Sequence, residues 1–298
     1  MNTLLSQKTI LEFAKENYSL DEPQTCEFIR RGFNDHYQLT AGNTQYIFRV
    51  YLNGKYYVDS PNAFQFELDL VDYLYKQDIP VAHPLPQKDG KLLGWIDTDL
   101  GKRYTALFSY ALGEPRQEEP PTVEQCIELG KTTAAFHLAA NKFHSGHKRY
   151  HLNLKYLAEE PLKQIALQDD EKIREFREFI ASLQPIDQAI STVQALNSDG
   201  DEYGIIHGDL HLGNMHFQGN QVTLFDFDHC AYGWRAYDLI PSLFLPEDQR
   251  NALLQGYESV RPLSKREHES LPAFTKLRGL WDVGDILATA SLRAEPDV

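Results

Sequence analysis

The apolar positions along the chain change period several times, and each change marks a new element. Residues 3–17 place Leu4, Leu5, Ile10, Leu11 and Ala14 near helical spacing, which predicts a leading helix. Three strand-like runs follow, Thr25–Arg31, His36–Thr40 and Gln45–Leu52. Turn chemistry at Gly32-Phe33-Asn34-Asp35 and Ala41-Gly42-Asn43 joins them, so an antiparallel meander is the economical arrangement. Pro61 opens a helix to about Gln77, with Phe64, Leu68, Val71 and Leu74 or Tyr75 on one face, and DIPVAHPLP ends it. Lys91–Asp97 and Lys102–Tyr110 read as a second hairpin around Asp99-Leu100-Gly101. Thr122, with Gln125 three residues on, predicts a capping box and a helix to about Ala140. Residues 157–197 read as helical, EKIREFREFIASL strongly amphipathic, and further helices are expected near Ala236, from about Glu247 and from Ser264.

Between Gly204 and Asp228 the apolar runs shorten to Ile205-Ile206, Met215-His216-Phe217 and Val222–Phe225, separated by loop and turn residues. This predicts strand, loop, strand, turn at Gln218-Gly219-Asn220, and strand. Asp209, Asn214 and Asp226 then stand at loop or strand ends, and the hairpin folds them towards one point. Three such oxygen-bearing side chains suit phosphoryl transfer, in which the protein mainly positions a hydroxyl against a metal-bound phosphate. The spacing from Asp209 to Asn214 matches a catalytic loop whose Asp takes the hydroxyl proton and whose Asn holds magnesium. Asp226, followed by Phe227, takes the place of a second magnesium ligand, because a hard cation needs carboxylate or amide oxygen. Asp228, where a glycine would complete the motif, is an extra acidic group or a turn residue.

At these residues the sequence resembles the aminoglycoside phosphotransferase and choline kinase-like family, which shares the protein-kinase fold and phosphorylates mostly small hydroxyl compounds. GNTQYIFRVYL, FELDLVDYLYKQDIPVAHPL, GKTTAAFHLAA and FDFDHCAYGWRAYDL resemble family segments in family order, from about residue 25 to about residue 290. The subgroup it looks nearest to contains type II homoserine kinases and stress-response kinases. The resemblance implies an α+β, bilobal fold. Residues 1–109 would form a nucleotide-binding N-lobe of antiparallel sheet plus helices, and residues 110–298 a larger, mainly helical C-lobe carrying the catalytic loop, metal and acceptor sites.

ATP and Mg2+ are the implied cofactors, with the adenine against SYALGEP, residues 109–115, and Asp209 as the catalytic residue. Arg49 sits mid-strand among Ile47, Phe48 and Val50, where an unpaired cation is costly; it reads as a phosphate ligand or a surface strand charge. Glu67 is the implied helix partner of Arg49, against the alternative of a solvated helix carboxylate. Asn214 and Asp226 would hold the metal. Asp238 resembles a brace for the catalytic loop or is a carboxylate at a helix N-terminus. Trp281 and Asp282 are candidates for the acceptor wall, with core packing as the other fate of the Trp.

The short run after Asp226 lacks the long segment and APE ending that hold a polypeptide, which favours a small-molecule hydroxyl acceptor. Homoserine, an amino alcohol, an aminoglycoside and a protein serine all fit the motifs, as does GTP in place of ATP. The alternatives are a protein Ser/Thr kinase and a nucleotide-binding pseudokinase, the latter disfavoured by the intact Asp209, Asn214 and Asp226.

Composition changes this picture little. Lys and Arg number 29 against 43 Asp and Glu, and the net charge of −14 argues against nucleic acid as a partner. No apolar run approaches the roughly 20 residues of a spanning helix, and MNTLLSQKTILEFAKENY is not signal-like, so no membrane association and a cytoplasmic location are expected. Cys26, Cys126 and Cys230 fit neither a metal motif nor a disulfide framework and read as reduced, buried thiols. His137 reads as a packing histidine. His144, His147 and His151 form a poor zinc set, because Gly146 interrupts the helix and nothing completes the shell; His207, His211 and His216 are better explained by the catalytic-loop framework.

Overall fold

The computed structural model describes residues 3–115, 119–168 and 170–293. The leading helix, α1 (Gln7–Asn17), is capped by Ser6, whose hydroxyl accepts from the Thr9 amide at 3.1 Å. β1 (Pro23–Arg31), β2 (Asn34–Ala41) and β3 (Thr44–Tyr51) form the expected meander. After α2 (Asn62–Lys76), the hairpin of β4 (Gly94–Thr98) and β5 (Gly101–Ser109) completes a five-stranded antiparallel sheet in the order β1-β2-β3-β5-β4.

Alternation along β3 decides what each side chain meets. Phe48 and Val50 join Tyr37, Leu39, Leu107 and the Ile10 and Ala14 stripe of α1 in one core. Tyr51 points the other way, into a cluster with Phe64 and Leu68 of α2, Ala106 and Phe108, so Arg49 lies on that face too. Arg49 stands directly opposite His36 on β2. A register shift between Phe28 and Arg30 brings Arg30 opposite His36, whereas Phe28 is opposite Tyr37. Such a bulge re-aims a side chain, and here it puts Arg30 in a row with His36 and Arg49.

The rest of the chain is mainly helical. In order come α3 (Val123–Ala140), α4 (Glu160–Ala166), α5 (Asp170–Ile173), α6 (Arg177–Ser182), α7 (Ile186–Gln194), β6 (Tyr203–Ile206), β7 (Met215–Gln218), β8 (Gln221–Leu224), β9 (Ala231–Trp234), α8 (Glu247–Glu258) and α9 (Lys265–Arg293). β6 pairs with β9, and β7 with β8. The capping box of α3 forms in both directions, Gln125 N to Thr122 Oγ1 at 3.2 Å and Thr122 N to Gln125 Oε1 at 3.0 Å. α2 has a second apolar face, Phe66, Leu70, Val71 and Leu74, which joins the largest core with residues of α3, α7, α8 and α9. That helix therefore ties the sheet to the helical part.

Two helical expectations change. EKIREFREFIASL is broken by a 3₁₀ turn at Arg174–Phe176; Ile173, Phe176 and Ile180 are only half-buried, so the apolar stripe is covered too thinly to hold one continuous helix. The helix expected near Ala236 is a 3₁₀ segment, Arg235–Phe244, with Pro241 inside it removing an amide donor. No helix among the described residues is long and apolar enough to cross a membrane. All three cysteines are free and buried.

Candidate active site

The loop between β6 and β7 carries Asp209 and Asn214, and β8 delivers Asp226. Backbone bonds fix them together: Phe225 N donates to Asn214 O at 3.0 Å, and His207 Nε2 pairs with Phe225 O at 3.0 Å. From below, the Asp238 carboxylate accepts from the amides of His207 at 2.6 Å and Gly208 at 3.0 Å, and His137, buried, lies 3.1 Å from it. Asp238 thus braces the loop, and His137 also bonds Tyr257 at 2.8 Å. Gly208 has φ +78° and sits so close to the His229 carbonyl that an added Cβ would lie 2.2 Å from it; only glycine fits.

Asn214 Nδ2 donates to the Asp209 carbonyl at 2.9 Å and to its Oδ2 at 3.2 Å. This turns the amide oxygen of Asn214 away, leaving it for a cation. Arg278 of α9 donates to Asp209 Oδ1. Burial pushes the Asp209 carboxyl up, but Arg278, His229 and His211 together outweigh it and the group ends at about 2.

On the sheet side, Arg49 is 3 % exposed and forks between two acids. Its Nη1 is 2.5 Å from Glu67 Oε1, and its Nη2 is 3.0 Å from Asp226 Oδ1. Tyr51 donates to the other oxygen of Glu67 at 3.2 Å. Burial alone would lower Arg49, and Glu67 with Asp226 hold it well above its ordinary value instead. Asp226 adopts a left-handed backbone, φ 63° and ψ 60°, a conformation in which non-glycine residues cluster at functional sites. Its Oδ2 is 3.9 Å from both Arg30 and His36, so the row of basic residues across β1, β2 and β3 converges on it. Asp228 neither extends that acid group nor merely turns the chain: it is buried, and it accepts from Lys55 at 2.7 Å, which also donates to Asn34 at 2.8 Å. Its neighbour Asp35 is clamped by Arg31 and Arg103, so the first turn of the sheet is pinned by ion pairs in place of a run of glycines.

These groups close one end of a cleft of about 330 Å³. Ile47, Ala82, Phe108, Tyr110, Ala111 and Phe225 line its apolar part, and Arg30, His36, Arg49 and Asp226 its charged end. The connection at residues 109–115 borders it, fixed by a bridge between Glu114 and Phe217. Asn214 Oδ1 and Asp226 Oδ2 are the protein oxygens that could hold a magnesium ion, which keeps several waters and takes few protein ligands. Among the described residues no three His, Cys, Asp or Glu side chains form a metal cage.

The structure brings Asp209 to Asn214 and Arg49 to Glu67, pairs that the sequence joined, and adds a contact from Arg49 to Asp226 that it did not. Trp281 is buried against His229, ring centroids 5.0 Å apart, and Asp282 pairs with Arg278 at 2.7 Å. Four neighbours were not anticipated: Arg30, His36, Lys55 and Arg278. A charged residue within an apolar run flagged Arg49; Arg278 gave no such signal, since Asp282 four residues on reads as its helix-surface partner. His144, His147 and His151 bond separately, to the Lys142 carbonyl and Tyr203 or near Asp69.

A five-stranded antiparallel sheet tied by one helix to a mainly helical body, with acids from two loops meeting at the cleft between them, is a kinase-like α+β fold, and it defines a phosphotransferase. The chain belongs to the phosphotransferase enzyme family, whose model matches residues 25–271. It is 32% identical to a homoserine kinase of Agrobacterium fabrum over 72% of this chain and 66% of that protein. Among solved structures, an amicoumacin kinase in complex with AMP-PNP, Ca2+ and Ami superposes with a TM-score of 0.77 at 22% identity, covering 95% of this chain and 86% of that one. A microcompartment-associated aminopropanol kinase gives 0.75 at 23% identity, covering 96% and 93%. These two likenesses are of fold.

Proposed function

We propose that the chain transfers the γ-phosphate of ATP, with Mg2+, to a hydroxyl of a small amine-bearing acceptor. The observation that carries the reading is a pair of linked clusters, Arg49 with Glu67 and Asp226 at the charged end of the cleft and Asp209 with Asn214, joined to it through the Phe225 amide on the Asn214 carbonyl. Arg49, fixed by Glu67, places the phosphates, and Asn214 and Asp226 hold the metal. When bound, magnesium neutralises phosphate charge. Asp209 orients the acceptor hydroxyl and takes its proton. The apolar part of the cleft suits adenine, with residues 109–115 along its edge.

The amine follows from the charges beyond Asp209. Asp282 and Asp285 lie a helical turn apart on α9, the helix that brings Arg278 to Asp209, and Tyr56 bonds the buried Asp285. Asp282 pairs with Arg278 at 2.7 Å while its side chain is 42% exposed, so the carboxylate is open to a ligand, and an ammonium group is the partner that suits it. Homoserine, on which the Agrobacterium relative acts by name, is such a compound. β9 turns straight back to pair with β6 after Asp226, which supports a small acceptor over a polypeptide.

The test compares ADP formation with homoserine and 1-amino-2-propanol against their analogues lacking the amine. The amines are expected to win in kcat/KM by roughly 10⁴-fold, as when a site's polar groups lose their partner. Equal use of both series contradicts an amine-reading site.

A further inference from the structure

Phosphoryl transfer concentrates negative charge between the attacking hydroxyl and the leaving oxygen, and a positive group fixed at that point lowers the barrier. The loop from His207 to Asn214 contains no lysine or arginine. Arg49 is committed on the nucleotide side, its fork closed by Glu67 and Asp226. His211, 3.7 Å from Asp209 Oδ2, is a titrating imidazole whose basicity burial lowers, not a permanent cation. Among the described residues, the permanent cation paired with Asp209 is Arg278, from a helix 69 residues further along the chain.

Arg278 is built into place on three sides. Nη2 donates to Asp209 Oδ1, Nε donates to Asp282 Oδ1 at 2.7 Å, and the guanidinium lies 5.0 Å from the centre of the Trp281 ring. Nη1 makes only a 3.5 Å approach to the Gly208 carbonyl. The Tyr237 hydroxyl also stands within hydrogen-bonding range of the guanidinium, and the N–H groups beyond these partners lie beside the carboxylate that receives the acceptor. Burial alone would weaken its charge, but Tyr237, Asp209 and Asp282 hold it well above its ordinary value. A plain surface ion pair with Asp282 does not explain the reach across to the catalytic loop.

We propose that Arg278 is the cation of the transfer step, delivered by α9 instead of by the catalytic loop. The inference rests on the assignment of Asp209 as the acceptor-orienting base. The bond from the γ-phosphorus to the bridging oxygen breaks with its electron pair on ADP, a bond to the acceptor oxygen forms, and the hydroxyl proton goes to Asp209. Arg278 exchanges no proton; its remaining N–H groups bond an oxygen of the phosphoryl group in flight, while Nη2 keeps Asp209 aimed.

The experiment uses the full chain and compares Arg278→Met, Arg278→Lys and Arg278→Ala with wild type. It measures turnover on 1-amino-2-propanol or homoserine, slow ATP hydrolysis to water without acceptor, and nucleotide binding by titration. Arg278→Met is expected to lose roughly 10²–10³-fold in kcat, the range for removing one donor from a developing charge, with both KM values nearly unchanged. Hydrolysis to water should fall in parallel, because the phosphoryl group passes the same cation whatever receives it. Millimolar guanidinium should restore activity to Arg278→Ala, and methylurea, which is uncharged, should not. Retained kcat in Arg278→Met, a loss confined to the acceptor KM, or an absence of guanidinium rescue in a variant that still binds nucleotide overturns the proposal. A wild-type rate equal to that of Asp209→Ala overturns the underlying assignment instead, and this inference with it.

Discussion

Two arginines, Arg49 from the sheet and Arg278 from α9, are built alike, and the proposed mechanism gives them different work. Arg49 forks between Glu67 and Asp226; Arg278 forks between Asp282 and Asp209. Each joins an acid on a helix to an acid on a catalytic loop. They differ in their surroundings. The Arg49 side chain is 4% exposed and its partner Glu67 0%, whereas Arg278 is 20% exposed and Asp282 42%. A charge sealed from water is held by its partners at high stakes, and removing one partner strands the other. Beside water the same pairing holds less stability in reserve, and its value lies in where it points the charge. On the proposed mechanism, Arg49 is thus tied to both fold and nucleotide, and Arg278 chiefly to the chemistry at Asp209.

The largest effect is expected at the acid both accounts share. Asp209→Ala should lower kcat by roughly 10²–10⁴-fold, the usual contribution of a positioned base, and leave nucleotide binding intact by titration. Next, Arg49→Met should cost about 3–5 kcal/mol of stability by leaving Glu67 buried and unpaired, read by denaturant unfolding. Arg278→Met should cost less, about 1.5–3 kcal/mol in the same assay, because it strands Asp209, 16% exposed, but leaves Asp282 in water, while losing far more in turnover. Similar stability losses in the two variants would erase the contrast. Arg49→Lys keeps the charge without the fork, and ATP affinity rather than kcat should report it. Asp226→Asn tolerates the left-handed backbone, so its expected loss of magnesium-dependent nucleotide binding isolates the carboxylate from the strain.

The smallest effect concerns the brace below the loop. Burial lowers His137 to about 4, with Asp238 opposing only in part. The unfolded value is about 6.5. Unfolding therefore takes up a proton between these values, and stability falls as pH drops from about 6.5 towards 4, by at most about 1.4 kcal/mol per pH unit for this group. His36 and His229 shift in the same direction. His137→Gln should flatten the pH dependence of unfolding by about one proton, and an unchanged slope would contradict a neutral His137.

What was legible in the sequence is what local pattern encodes. The meander, the Thr122 capping box and the hairpin carrying Asn214 and Asp226 follow from period and turn residues over a few positions. Arg49 stood out because a charge in an apolar strand demands a partner. Arg30 was hidden, since only the bulge at residues 28–30 turns it towards His36. Lys55 and Asp228 lie 173 residues apart, and no spacing rule joins them. Arg278 was masked by Asp282, whose i+4 position supplies an ordinary local explanation. EKIREFREFIASL shows the reverse: its period was strong, but the stripe is only half-buried and the helix broke.

The most direct test of the account is ADP formation with Mg2+ and an amino alcohol by wild type and Asp209→Ala, with nucleotide binding measured on the same samples. The account predicts acceptor-dependent turnover in wild type that falls at least roughly 100-fold in a variant that binds nucleotide normally. Equal turnover in the two proteins would contradict it.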